Sequence, residues 1–232
     1  MSGGPAPTRG EAAAAVRDVV KTHRTATGAV TALDRVTLAV PRARVTVVTG
    51  PSGSGKSTLL RLLACVDRPD TGQVWVAGQR VDALRPRARR RVRRRQVAYL
   101  FQRPGENLLP YLGAAEQVRL AARLRGVPVA DGEVHRLLDR LDLAGRAEHR
   151  PAQLSGGEQQ RLAVACGVVG GPEFVVADEP TAELDTRAAE RVLAAVAGLA
   201  RSGVAFVLSS HDPRVLAVAD GVVRLDHGRV LP

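Results

Sequence analysis

Eight consecutive residues, Gly50-Pro51-Ser52-Gly53-Ser54-Gly55-Lys56-Ser57, carry the most specific chemistry in the chain. A glycine, four residues, then Gly-Lys-Ser is the spacing of a P-loop, whose glycines let main-chain N–H groups wrap phosphate oxygens. Lys56 would reach the outer phosphates as a compact point charge, and the Ser57 hydroxyl would ligate Mg²⁺. Only Lys21 and Lys56 are lysine among 34 basic residues, so a position that keeps an ammonium in a chain otherwise built with arginine stands out. A second group is Asp178-Glu179, which ends an apolar run. An Asp so placed holds Mg²⁺ through water, and the following Glu polarises the water that attacks a γ-phosphorus. Gln102 and His211 also stand at the ends of apolar runs, and Gln102 is thereby placed to touch Mg²⁺ or the attacking water.

These groups need a common edge, and the runs before them supply it. Val45-Thr46-Val47-Val48-Thr49, Val97-Ala98-Tyr99-Leu100-Phe101, Phe174-Val175-Val176-Ala177-Asp178-Glu179 and Val204-Ala205-Phe206-Val207-Leu208-Ser209-Ser210 are short and mostly apolar, as strands buried on both faces of a parallel sheet are. In such a sheet, ligands bind outside the carboxyl ends of the strands. The β-branched residues between Val16 and Val40, with a break at Thr27-Gly28, predict antiparallel strands, as do Val74-Trp75-Val76 and Val81. Helices are predicted from Ser57 to Cys65, Ala114 to Gly126, Asp131 to Gly145 and Thr186 to Arg201, and a small hairpin from Leu225 to Val230. Residues 1–15, rich in Gly, Pro and Ala, are expected to be a disordered tail.

The chain is long enough at 232 residues for one substantial core with a smaller subdomain. Cys65 and Cys166 lie in apolar helical surroundings with no second ligand at metal spacing, which predicts buried reduced thiols. No apolar run reaches the ~18 residues of a membrane span, and no signal-peptide core is found, so a cytoplasmic location is expected. The net charge of +11 is concentrated in a run from Arg85 to Arg95 with eight arginines in eleven residues. As a helix this run shows arginine on every side, which implies a solvated surface; contact with anionic lipid headgroups or nucleic acid are the other readings. Six aromatic residues in the whole chain leave little to stack on bases.

One stretch has no catalytic group of its own. Leu154-Ser155-Gly156-Gly157-Glu158-Gln159-Gln160-Arg161 reads as a capped helix start whose free N–H groups at Ser155, Gly156 and Gly157 accept an anion. Together with the loop at residues 50–57, Gln102, Asp178-Glu179 and His211, in this order, it resembles the ATP-binding subunits of ABC transporters, from about Val16 to Val230.

The resemblance implies an α/β P-loop NTPase core with a mostly parallel central sheet, an antiparallel N-terminal β-subdomain and an inserted helical subdomain at about residues 103–170. It implies ATP and Mg²⁺ as ligands, held by Gly50, Pro51, Ser52, Gly53, Ser54, Gly55, Lys56, Ser57 and Thr58, with Ser57, Gln102 and Asp178 on the metal. Glu179, Gln102 and His211 become the catalytic set, and His23 falls at the position that stacks on adenine. Two copies are implied to pack head to tail, so that Ser155, Gly156 and Gly157 of one clamp the γ-phosphate held by the other, with Asp185 coupling the two sites. The further partner is a transmembrane permease, contacted through residues 103–110, with the subunit peripheral on the inner face of the membrane. The segment from Phe101-Gln102 to Asn107-Leu108-Leu109-Pro110 is similar to the lipoprotein-release and macrolide-export class. The competing reading is a non-transport ABC ATPase on ribosomes or nucleic acid, or a regulatory ATPase signalling across the membrane. A ribosomal factor is expected to carry two cassettes and a DNA-repair member a long coiled-coil insertion, and this sequence has neither.

Overall fold

A computed structural model describes residues 12–26 and 28–231. Two long strands, β1 (Ala12–Thr25) and β2 (Gly28–Pro41), pair antiparallel and are followed by β3 (Val45–Thr49), helix α1 (Lys56–Leu63) and strands β4 (Thr71–Val76) and β5 (Gln79–Arg80). Then come α2 (Pro86–Gln96), β6 (Val97–Leu100), and three helices, α3 (Ala114–Arg125), α4 (Asp131–Arg140) and α5 (Gly156–Val168). The chain closes with β7 (Phe174–Asp178), α6 (Thr186–Arg201), β8 (Ala205–Ser209), α7 (Pro213–Ala217), β9 (Gly221–Asp226) and β10 (Arg229–Val230).

The strands form two sheets, one ordered β2-β1-β4-β5 and antiparallel, the other ordered β10-β9-β3-β8-β7-β6. In the second sheet every pairing from β9 to β6 is parallel, and only β10 runs against its neighbour. The parallel strands have both faces covered. On one face Val48, Val176 and Val207 meet the antiparallel sheet and the Leu59, Leu60, Leu62 and Leu63 side of α1. On the other face Val47, Val175 and Leu208 meet α5 and α6, with α3 and α4 outside them. Burial on both faces explains why these strands read as unbroken Val, Ala and Phe runs rather than as alternating ones.

Two expectations are corrected. Of the tail placed at residues 1–15, the first eleven lie outside the described residues, but Ala12 to Ala15 are buried in β1. Ala14 pairs with Val40 on one side and Val76 on the other, so these alanines sit in a central strand, where a small side chain fits between two neighbours despite its weak strand preference. The terminal hairpin, predicted from Leu225, begins earlier: β9 starts at Gly221 and joins the core sheet parallel to β3, Val47 opposite Val222. The first strand ends at Thr25 and the second starts at Gly28; of the predicted break at Thr27-Gly28, Thr27 lies outside the described residues.

The arginine-rich run is helix α2, with Val92 its one buried side chain and Arg89 half-buried. The other seven arginines of the run are exposed, and no carboxylate among the described residues lies within 4.0 Å of any of the eight. Cys65 is buried and Cys166 half-buried, and burial pushes their thiols up to about 11 and about 12. No described helix is long and apolar enough to cross a membrane.

Candidate active site

The loop between β3 and α1 is shaped by glycines that tolerate no side chain. Gly50 has φ +148° and a Cβ there would sit 2.0 Å from the Leu225 carbonyl oxygen. At Gly55, with φ +103°, a Cβ would sit 2.2 Å from the carbonyl oxygen of Ala32. The loop is therefore pressed against β2 and β9, and only glycine permits that approach. Lys56 donates from Nζ to the carbonyls of Gly50 at 2.8 Å and Pro51 at 2.9 Å, so its ammonium lies across the loop mouth. The Ser54 hydroxyl is buried beneath the loop without a partner among the described residues.

A cavity of 670 Å³ opens over this loop and gathers groups from four strand ends. Its walls are residues 50–53 and 55–58, with Ala32, Gln102, Asp178, Glu179 and His211. Parallel register is what brings them together: Asp178 lies opposite Ser209, and Val48 opposite Ser209 on the other side. Asp178 accepts a very short hydrogen bond from the Ser209 hydroxyl, which fixes the carboxylate at the strand edge. The donor set of Ser57 hydroxyl, Asp178 carboxylate and Gln102 amide is oxygen-rich, as Mg²⁺ requires.

Glu179 is held in a rarer conformation. Its φ is +46°, in the left-handed region, at a cost of order 1 kcal/mol that the surrounding bonds must offset. Its N–H lies 3.1 Å from the Ser209 carbonyl and 3.0 Å from the Ser209 hydroxyl. Its carboxylate accepts from the Ser210 hydroxyl at 3.2 Å and stands 3.1 Å from His211 Nδ1. The side chain is thus tied at both oxygens and 19% exposed, while the histidine ring beside it is 81% exposed. A carboxylate held this way beside a phosphate cradle can take a proton from a water molecule.

Gln102 is fixed indirectly. Asn107 accepts from the Phe101 N–H at 2.8 Å and donates to the carbonyls of Phe101 and Arg103 at 3.1 Å each, bracketing the turn that carries the glutamine.

Ser155, Gly157 and Asp185 do not reach this cavity. They line a second one of 610 Å³, with Arg146, Glu158, Arg161 and Arg187 among its walls. Ser155 caps α5, accepting from the Glu158 N–H at 3.3 Å, and Asp185 caps α6, accepting from the Ala188 N–H at 2.8 Å. Arg161 anchors α5 by donating to the Leu141 carbonyl at 2.8 Å. The Gly156 and Gly157 N–H groups, in the first turn of α5, meet no acceptor among the described residues. Two helix N-termini converge here, an arrangement that favours an anion.

His23 falls outside both walls. Its Nε2 is 3.2 Å from the hydroxyl of Thr58, which is itself a wall of the first cavity. Sequence reasoning did not single out Ser209, Ser210 or Asn107, which orient the carboxylates and the glutamine. The Ser209-Ser210 pair directly before His211 is the signal that could have found the first two.

The family model described as ABC transporter matches residues 33–182. An uncharacterised ABC transporter ATP-binding protein of Thermotoga maritima is 39% identical over 92% of this chain and 91% of its own length. A macrolide export ATP-binding/permease protein MacB of Bradyrhizobium diazoefficiens is 42% identical over 87% of this chain, which spans only 31% of that relative. Among solved structures, the ATP-binding cassette MJ0796, dimeric and bound to ADP and Pi in a post-hydrolysis state, is 29% identical with a TM-score of 0.82, covering 94% of this chain and 97% of that one.

Proposed function

The chain belongs to the ABC transporter family, and from that premise we propose that it binds and hydrolyses ATP by closing head to tail on a second copy, and that this cycle drives a membrane permease of the export type. One observation carries the dimeric reading: within one chain Lys56 and Ser155 line separate cavities, so a phosphate held by the first is out of reach of the second. Two of the similar solved structures are described as dimeric, which supports a dimer.

In this reading the Gly50–Thr58 loop binds the phosphates, Lys56 turning from its own carbonyls to the outer phosphate oxygens. Ser57, Asp178 and Gln102 hold Mg²⁺, which when bound neutralises phosphate charge. Glu179 takes a proton from water as its oxygen bonds to the γ-phosphorus and the bond to the ADP oxygen breaks. His211, 3.1 Å away, holds that carboxylate in line and is free to follow the γ-phosphate. Ser155, Gly156 and Gly157 of the partner copy close the open side, and Asp185, capping the helix beside them, links one site to the other. Such catalysis is mostly positioning and charge stabilisation, which suits a site built from fixed donors.

The export assignment rests on the MacB relatives, and association with the membrane is through the permease. Phe101, Leu109 and Tyr111, exposed at 49%, 37% and 64% around the Gln102 turn, are the surface proposed to meet it. The test is Glu179→Gln: ATP turnover is expected to fall below about 1% of the parent, while ATP-bound dimers accumulate on size exclusion. Unchanged turnover contradicts the assignment.

A further inference from the structure

The hydroxyl of Ser155 has one proton, and in the free chain it is already used. It donates to Glu158 Oε2 at 2.9 Å, and the same oxygen accepts the Ser155 N–H at 2.8 Å. Glu158 therefore places a full negative charge at the helix terminus where a γ-phosphate of the second copy is proposed to land. A carboxylate in the first turn suits the helix dipole, but it competes with a phosphate for the same donors and repels it. The other carboxylate oxygen, Oε1, accepts from Arg146 Nε at 2.8 Å. Arg146 comes from the turn after α4, twelve residues before Glu158, and its side chain is 45% exposed. Both oxygens of the carboxylate are thus engaged by Arg146 and Ser155, and the Gly156 and Gly157 N–H groups keep no acceptor of their own among the described residues.

We propose that Arg146 is a positioning residue for the composite ATP site: by holding and neutralising the Glu158 carboxylate, it frees the Ser155 hydroxyl and the adjoining N–H groups to take the γ-phosphate of the second copy. The inference rests on the head-to-tail reading above. With Arg146 in place, Glu158 keeps two partners, the guanidinium and the Ser155 N–H, when the hydroxyl rotates towards phosphate. Without it, the carboxylate retains the hydroxyl and stands uncompensated beside an anion. The strong depression of the Glu158 carboxyl, to about 2, agrees that it is ionised whenever the protein works.

The charge argument gives a test that a merely structural arginine would not pass. In a Glu179→Gln background, dimer mass is followed by light scattering as ATP is raised. Arg146→Gln is expected to need about five- to tenfold more ATP for half-maximal dimer, and Arg146→Lys to fall between it and the parent. Adding Glu158→Gln to Arg146→Gln removes the uncompensated charge while an amide oxygen still caps the helix, so the requirement returns to within about twofold of the parent. An unchanged ATP requirement in Arg146→Gln, or a double variant as weak as the single one, overturns the proposal. A parent that stays monomeric at any ATP concentration overturns instead the head-to-tail reading on which it rests.

Discussion

Gly157 and Ala188 bring the starts of two helices into contact: a Cβ on Gly157 would lie 2.7 Å from Ala188 Cβ. The first turns of α5 and α6, capped by Ser155 and Asp185, therefore act as one surface, and the glycine is there for the approach as much as for its exposed N–H. Gly157→Val is expected to force the helices apart, destabilising the fold by roughly 2 kcal/mol, or about 4–8 °C in Tm. It also abolishes ATP-driven dimerisation, which calorimetry and size exclusion on the same sample will read separately. Unaltered dimerisation would mean the joint surface is not used.

At the end of α3, Arg125 is only 7% exposed and has no carboxylate partner among the described residues. Its guanidinium donates to Gly167 at 2.6 Å, Val97 at 3.2 Å and Arg94 at 3.4 Å, all carbonyls, so it ties the ends of α2 and α5 to the start of β6. Burial pulls its pKa below the ordinary arginine value, but three carbonyl dipoles hold the charge. Arg125→Met keeps the stem and strands those carbonyls, and is expected to lower stability by about 2–4 kcal/mol in urea unfolding. A change under about 0.5 kcal/mol would show the carbonyls finding water instead.

Stability has a pH dependence with a definite sign. The Arg146 guanidinium first, then the Ser155 N–H and hydroxyl, hold the Glu158 carboxyl down from 4.5 to about 2. A carboxyl depressed on folding contributes stability that is whole above its unfolded value and is lost as pH falls towards the folded one. The Tm gap between the parent and Glu158→Gln should thus be constant from neutral pH to about 5, narrow below 4.5 and close near 2. A gap that persists undiminished to about pH 3 would place the stabilisation elsewhere.

Most of the chemistry was legible in the sequence because it sits at strand ends. An apolar run followed by a polar residue marks the carboxyl edge of a parallel strand, and Gly50, Gln102, Asp178 and His211 all obey it. Ala12 to Ala15 were misread because alanine carries almost no strand signal; their place comes from the strands on either side. The Arg146–Glu158 and Asn107–Phe101 contacts join loop residues to their neighbours through side-chain geometry that no periodicity encodes. His23 matches a position by resemblance alone, and its ring stands 3.2 Å from the Thr58 hydroxyl in the first turn of α1.

The central claim is that Lys56 and Ser155 act on one nucleotide from two chains, and mixing tests it most directly. Lys56→Ala and Ser155→Arg are each expected to be inactive alone. Combined in equal amounts under conditions that allow exchange, half of the pairs are mixed and each mixed pair keeps one intact site, so roughly a quarter of the parent's ATP turnover should return. A mixture no more active than the two variants measured separately would contradict the shared site.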